Sequence, residues 1–346
     1  MTLGHIAFLG SGETSLAGGR IFESLARRIS DPLQVAIMET TAGFELNSPL
    51  VAGKVGEFLK TRLQNYKPNV DIIPARKLGT EFSPDNLEIL KPLLQANMIF
   101  MGPGSPSYAV RQLKGTLAWE IIRARHRLGA TLIFASAATI SVGAWVLPVY
   151  EIYKVGEDVH TKDGLNLFAA CGLDLSFVPH WNNAEGGIDL DTSRCFVGKE
   201  RFDQWRKLLP AESVMVGLDE HTGIIMDCEN RTCEVSGVSS VSVIKRDGME
   251  MYPAGASFPL SELGQITYPD PIEKGIRSDV WEMVVKAAQT KDVNEAPPVE
   301  ALKLLEQRKE ARARKDFVES DRLRDQLSAL GWVVQDSKDG QKLIKQ

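Results

Sequence analysis

Short apolar runs alternate with amphipathic stretches through the first half of this 346-residue chain, and that alternation restricts the fold more than any other feature. The runs at residues 5–9, 34–38, 70–73, 98–101, 132–135 and 175–178 have the length and apolar character of buried strands. Between them, residues 19–28, 50–64, 86–94 and 117–128 place apolar side chains at helical spacing. Strand and helix in this order predict an α/β fold, a mostly parallel, doubly wound sheet with helices on both faces. From about Val214 the pattern becomes short strands joined by turns such as Glu229-Asn230 and Asp247-Gly248. These predict an antiparallel extension of the same sheet.

Prolines at 269, 271, 297 and 298 mark residues 266–298 as a linker, with one short helix at 279–288. The main domain is therefore expected over residues 1–265 and a small helical appendage over 299–346. In that appendage Leu302, Leu305 and Ala313, then Phe317, Leu323, Leu327 and Leu330, define two amphipathic helices, with Gly331 placed to end the second. Residues 332–334 and 342–344, around Asp339-Gly340, predict a terminal hairpin.

A net charge of −5 supplies no global basic field for nucleic acid, and no apolar run reaches the length of a membrane span. The first ten residues lack a basic segment and a long enough apolar stretch for a signal peptide, so the cytoplasm is the expected compartment. Four cysteines without a CxxC fit a reducing environment, and Cys228 and Cys233 are expected to face each other across a hairpin. The five histidines are scattered, and none is paired at helical spacing around a carboxylate, so no metal and no cofactor is expected. Gly10-Ser11-Gly12 follows a strand, but the third glycine of a dinucleotide fingerprint would fall at Ser15.

The chemistry centres on Phe134-Ala135-Ser136-Ala137-Ala138, where an apolar strand runs into a small-residue stretch. A serine at a sharp strand-to-helix turn presents its hydroxyl above the sheet as a nucleophile. A serine needs a base, and His180 closely follows the strand at 175–178, at a carboxyl end of the sheet. Glu151 lies between serine and histidine, giving the chain order nucleophile, acid, base. Backbone donors for an oxyanion are expected from Ala137 and, in the turn Gly102-Pro103-Gly104-Ser105, from Gly104, because Pro103 has no N–H. Asn182, Asn183 and Glu185 lie beside the base as candidate substrate-binding residues. A cysteine nucleophile is excluded at this turn, and glutamine hydrolysis with it.

Taken together these residues resemble the serine dipeptidase E and cyanophycinase family, which has a class I glutamine amidotransferase-like fold. The matching segments are Phe8-Leu9-Gly10-Ser11-Gly12-Glu13, Thr40-Thr41-Ala42-Gly43-Phe44-Glu45, Met101-Gly102-Pro103-Gly104, the Ser136 turn, Val178-Pro179-His180-Trp181-Asn182 and Gly217-Leu218-Asp219-Glu220-His221-Thr222-Gly223. The resemblance spans about residues 3 to 265. It implies acyl transfer to Ser136 without a metal, with His180 as base and Glu151 as its orienter. The substrate it implies is a small peptide or isopeptide. This chain departs from the family in carrying Phe134 and Ala138 where members carry glycine, and Pro103 and Ser105 in a turn usually richer in glycine. Phe134 is bulky enough to tilt the turn or fill part of a pocket. A catalytically inactive relative that binds a small ligand or tRNA is the alternative reading.

The tail resembles the C-terminal segment of cysteinyl-tRNA synthetases, carried by residues 304–312, Lys315-Asp316-Phe317, residues 320–327 and residues 331–336. In those enzymes the segment lies near the tRNA anticodon, which makes tRNA a partner implied by the resemblance. Arg308, Lys309, Arg312, Arg314 and Lys315 would be its basic stripe. Interleaved Glu306, Glu310, Asp316 and Glu319 describe a solvated helix face, so packing or homodimer formation is the first expectation for the tail.

Overall fold

The computed structural model describes residues 3–29, 32–289, 298–314, 316–337 and 340–345. Five strands form the parallel heart of the main sheet: β1 (Ile6–Leu9), β2 (Gln34–Met38), β3 (Asn69–Ile73), β4 (Met98–Met101) and β5 (Thr131–Ala135). Alternate residues feed two separate cores. Ile6, Phe8, Leu132 and Phe134 point to one, with Leu90, Leu93, Ile121 and Ile122 from the helices Leu87–Gln95 and Leu117–Arg127. Ala7, Leu9, Ile133 and Ala135 point to the other, with Ile21, Phe22 and Leu25 of Leu16–Ala26 and Val55 and Leu59 of Ser48–Arg62. Strands covered on both faces read as continuous apolar runs, which is why the sequence marks them so plainly.

Beyond β5 lie a two-residue ribbon, β6 (Trp145–Val146) with β7 (Lys162–Asp163), and then β8 (Leu175–Val178), β9 (Val214–Leu218) and β10 (Thr222–Asp227). They are followed by β11 (Thr232–Gly237), β12 (Ser240–Lys245), β13 (Gly248–Pro253) and β14 (Ser257–Pro259). The main sheet has eight strands in the order β14-β11-β10-β1-β5-β4-β2-β3, so β10, β11 and β14 are its antiparallel extension. The other late strands do not extend it. β13, β12, β9 and β8 form a second, four-stranded sheet, in which β8 and β9 run parallel. Cys228 and Cys233 are not cross-strand partners: Cys233 pairs with Met226, Cys228 lies beyond the paired residues, and both thiols are buried and free.

The chain divides into two compact units, residues 1–288 and 289–346. The boundary expected at 265 therefore falls inside the first unit. Its helix Ser278–Gln289 buries Val280 and Val284 completely in the core beneath the sheet, and the Gln95 side chain donates to the Ala287 carbonyl at 2.9 Å. That helix belongs to the core, whatever the prolines before it suggest.

In the second unit the helices Val299–Ala313 and Phe317–Ala329 and a hairpin of β15 (Trp332–Ser337) and β16 (Gly340–Lys345) enclose Ala301, Leu305, Leu327, Trp332 and Leu343. Gly331 follows the second helix at φ 80°, a left-handed conformation that costs glycine little. Asp339, expected at the hairpin tip, lies outside the described residues. Among the described residues no helix is long and apolar enough to cross a membrane.

Candidate active site

Three loops, at the carboxyl ends of β5, β8 and β9, meet around Ser136. The first is the turn after β5. Ser136 has φ 52° and ψ −117°, a left-handed backbone that strains a residue with a Cβ. Its surroundings hold it there: the Ser136 N–H donates to the Leu9 carbonyl at 3.2 Å, and the Ala138 N–H donates to the Gly102 carbonyl at 3.3 Å. The helix Ala137–Ser141 follows immediately. Phe134 neither tilts this turn nor enters the pocket. Its side chain is fully buried in the core and stacks on Phe8, ring centroids 5.6 Å apart. Ala138 is fully buried in the same core, so both departures from glycine point their side chains away from the reacting face.

The second loop follows β8. His180 has φ 49°, and its N–H donates to the Gly10 carbonyl at 3.2 Å. Its Nε2 lies 3.0 Å from Ser136 Oγ, and its Nδ1 lies 3.0 Å from Glu220 Oε1. An ionised carboxylate only accepts, so Nδ1 carries the ring proton and donates it to Glu220. Nε2 is then left to accept from the serine hydroxyl.

The third loop is the turn between β9 and β10, which carries Glu220. Asp219 builds that turn, with Oδ2 accepting from Ser239 Oγ at 2.6 Å and from the Ser240 N–H at 3.1 Å. Gly10 lets it approach β1, since a Cβ there would lie 2.2 Å from the Asp219 carbonyl oxygen. The His221 N–H donates to Ser11 Oγ at 3.1 Å. Burial pushes the Glu220 carboxyl up, but hydrogen bonds from His180 and Asn183, with smaller electrostatic contributions from the nearby His180 and His221 rings, outweigh it. The carboxyl is held below its usual range and stays ionised.

Glu151 does not orient the histidine. Its Oε1 accepts from Lys162 Nζ at 2.9 Å, and it lines a different cleft. Asn182 and Asn183 also differ from their expected place in a substrate pocket. Asn183 Nδ2 donates to Glu220 Oε1 at 2.9 Å, and Asn182 Oδ1 accepts the Glu220 N–H at 2.8 Å. Both amides are spent on Glu220, one on its carboxylate and one on its backbone N–H, a residue that the expected order of groups had left out. The signal for Glu220 was present in the segment 217–223, but the expected order of serine, acid and histidine led elsewhere. Here the acid follows the histidine. Glu185 is exposed, and its N–H donates to Asn183 Oδ1 at 3.2 Å.

Ser136, Ala137, Gly104 and His180 share a cavity of about 140 Å³ with Pro106, Ile140, Val149, Tyr150, Tyr153, Cys195 and Phe196. Ala137 opens a helix, so its N–H has no intrahelical acceptor. Gly104, at φ 143°, lies where a Cβ would come within 2.0 Å of the Thr41 carbonyl oxygen. Among the described residues no group of three or more His, Cys, Asp or Glu side chains is placed to hold a metal ion.

Two kinds of known protein resemble this chain. A peptidase from an acI-B1 Actinobacterium, known from its crystal structure, is 21% identical with a TM-score of 0.59, the match covering 75% of this chain and 97% of that one. This chain shares that peptidase's fold. Residues 295–342 match the family described as the cysteinyl-tRNA ligase anticodon binding domain. The cysteine–tRNA ligase of Nitrobacter winogradskyi is 36% identical over 80 residues, which is 23% of this chain and 17% of the ligase. That of Rhodopseudomonas palustris is 61% identical over 41 residues, 12% of this chain and 9% of the ligase. The chain thus corresponds to a small part of these curated relatives.

The basic stripe expected along the first tail helix is interrupted. Arg308 is 2% exposed, Lys309 pairs with Glu306 at 2.9 Å, and Lys315 lies outside the described residues. On the second helix Arg322 pairs with Glu319 at 2.7 Å.

Proposed function

We propose that the first unit is a serine hydrolase of the peptidase type, cleaving a small peptide or isopeptide bond. The observation that carries this reading is the chain of contacts from Ser136 through His180 to Glu220, both links at 3.0 Å, opening on a cavity. Ser136 Oγ attacks the scissile carbonyl carbon while His180 Nε2 takes its proton. Glu220 holds the ring in the tautomer that can accept and stabilises the imidazolium that forms. The carbonyl oxygen becomes an oxyanion, for which the Ala137 and Gly104 N–H groups are the proposed donors. His180 then protonates the leaving amine, and water, activated by the same ring, releases the acyl group from Ser136. The shared peptidase fold supports the reading. A fluorophosphonate probe tests it: wild type should label, and Ser136→Ala should not. A wild type that never labels leaves the inactive, ligand-binding alternative standing.

For the second unit we propose contact with tRNA, on the strength of its match to an anticodon binding domain. The ion pairs of its helices leave few cations for phosphate, so the contact should be weak and only shallowly salt-dependent. A gel shift of the full chain with total tRNA over rising salt is the measurement. No shift even at low salt would return the tail to a packing or dimerisation role.

A further inference from the structure

The wall of the cavity carries a statement about the substrate, resting on the serine hydrolase reading. Apart from Ser136 and His180, its lining is Gly104, Pro106 and Ala137 on one hand and Ile140, Val149, Tyr150, Tyr153, Cys195 and Phe196 on the other. Among the described residues no lysine or arginine lines it. Tyr153 stacks on Phe196, centroids 5.6 Å apart at 18°, and Phe196 in turn lies 5.6 Å from the His180 ring. Arg194, Cys195 and Phe196 take φ of 58°, 60° and 69° in succession, a strained left-handed turn that sets the Phe196 ring beside the base. The Cys195 N–H fastens this turn to the His180 carbonyl at 3.1 Å. Burial pushes the Cys195 thiol up to about 12, so it adds no charge.

The nearby cations lie elsewhere. Lys154 Nζ sits over the faces of Tyr150 and Tyr153, at 4.8 and 5.6 Å from their centroids, and is exposed to solvent. With Arg111 it lines an outer cleft of about 480 Å³, which meets the cavity at Tyr150. A carboxylate entering the cavity would shed its water against aromatic and aliphatic surface with no cation to receive it. An apolar side chain would gain from the same surface, and the volume suits one, since an apolar cavity of similar size holds a benzene ring.

We infer that the cavity beside Ser136 selects an uncharged, apolar acyl side chain, of the size of valine to phenylalanine, and not an acidic one. Tyr153, half-exposed in the wall, is the specificity-determining position.

The test has two arms. In the first, p-nitroanilides of leucine, valine, phenylalanine, aspartate and glutamate are compared by kcat/KM. Leucine or phenylalanine should exceed aspartate by at least about 100-fold, and Tyr153→Arg should narrow or reverse that ratio while Tyr153→Phe keeps it. Equal rates, or aspartate fastest, overturn the inference. In the second arm Ser136→Ala is titrated calorimetrically with N-acetyl-leucine and N-acetyl-aspartate, which needs no turnover. Tighter leucine binding upholds the inference even if no amide is cleaved, in which case only the choice of scissile bond is lost. Tighter aspartate binding, or no binding of either, overturns it. Fluorophosphonate labelling of the wild type separately decides whether the serine reacts at all.

Discussion

Phe134 stacks on Phe8 across two paired strands, rings 5.6 Å apart and inclined by 25°, two residues before the strained serine. Strand alternation explains how a bulky residue occupies a position that usually holds glycine: Phe134 faces the core while Ser136 leaves the strand above it. Phe134 should therefore matter to stability and little to reactivity. Phe134→Ala should cost about 3–5 kcal/mol of unfolding free energy, read from the denaturant midpoint. Labelling of the remaining folded protein by fluorophosphonate should be unchanged. Faster labelling per folded molecule would mean the ring obstructs the site after all.

Two carboxylates now separate cleanly. Glu220→Gln keeps the shape but cannot hold the histidine in its accepting tautomer, so kcat should fall about 10³–10⁴-fold, as for other orienting acids. Glu151→Gln weakens contacts with Ser107 and Lys162 that do not reach His180, and should stay within about threefold of wild type. Steady-state rates on one cleaved amide decide this. The reverse ranking would restore Glu151 to the site.

Gly104→Ala probes the oxyanion donors. The added methyl would meet the Thr41 carbonyl oxygen at 2.0 Å, on a backbone of φ 143° that L residues avoid. The loop must shift, and the Gly104 N–H with it. A loss of about 10²–10³-fold in kcat with little change in KM is expected. An unchanged kcat would move the second donor elsewhere.

The sequence disclosed the parts of this molecule whose signal is local. Fully buried parallel strands are apolar throughout, so β1, β2, β4, β5 and β8 stand out by composition. Ser136 and His180 were legible for the same reason, since each ends such a strand. Glu220 was not, because it sits 40 residues beyond His180 on a turn between two antiparallel strands, and long-range contacts such as the close approach of Gly10 to Asp219 bring it home. The split into two sheets was hidden as well: short antiparallel strands choose partners by register, and Ser240–Lys245 pairs with Val214–Leu218 across more than twenty residues. The helix at 279–288 was legible, but prolines near Asp270 marked it as part of a linker, and nothing local in the sequence showed that its valines fill the core.

His126 gives the first unit a built-in acid sensitivity. Burial, with smaller contributions from Arg127 and His5, lowers its pKa from the usual 6.5 to about 4, against a hydrogen bond in which Nε2–H donates to the Gly4 carbonyl at 2.9 Å. The unfolded chain binds the proton more readily than the folded one between those values. Stability therefore rises with pH across that window; it is fully present above about pH 6.5 and is lost progressively down to about pH 4. The loss from this one group should be about 3 kcal/mol. His126→Gln keeps a donor for Gly4 without the titration, so its stability should fall less than that of wild type between pH 7 and pH 4 in urea unfolding. Parallel curves for the two proteins would dismiss His126 as the cause.

The position of the helix Ser278–Gln289 makes the final prediction. Val280 and Val284 are wholly buried in the core of the first unit, while the compact second unit begins at 289. A chain ending at Gln289 should therefore keep that core intact, melting within a few degrees of the first transition of the full chain and hydrolysing the same amide at the same kcat/KM. A chain ending at Gly264 loses both valines and opens a cavity under the sheet, for which the cost of two truncated core side chains, about 2–5 kcal/mol each if comparable to larger aliphatics, should leave little folded protein. Loss of activity on cutting at 289 would mean that the second unit contributes to the reaction itself, and the two-part reading of the chain would have to be abandoned.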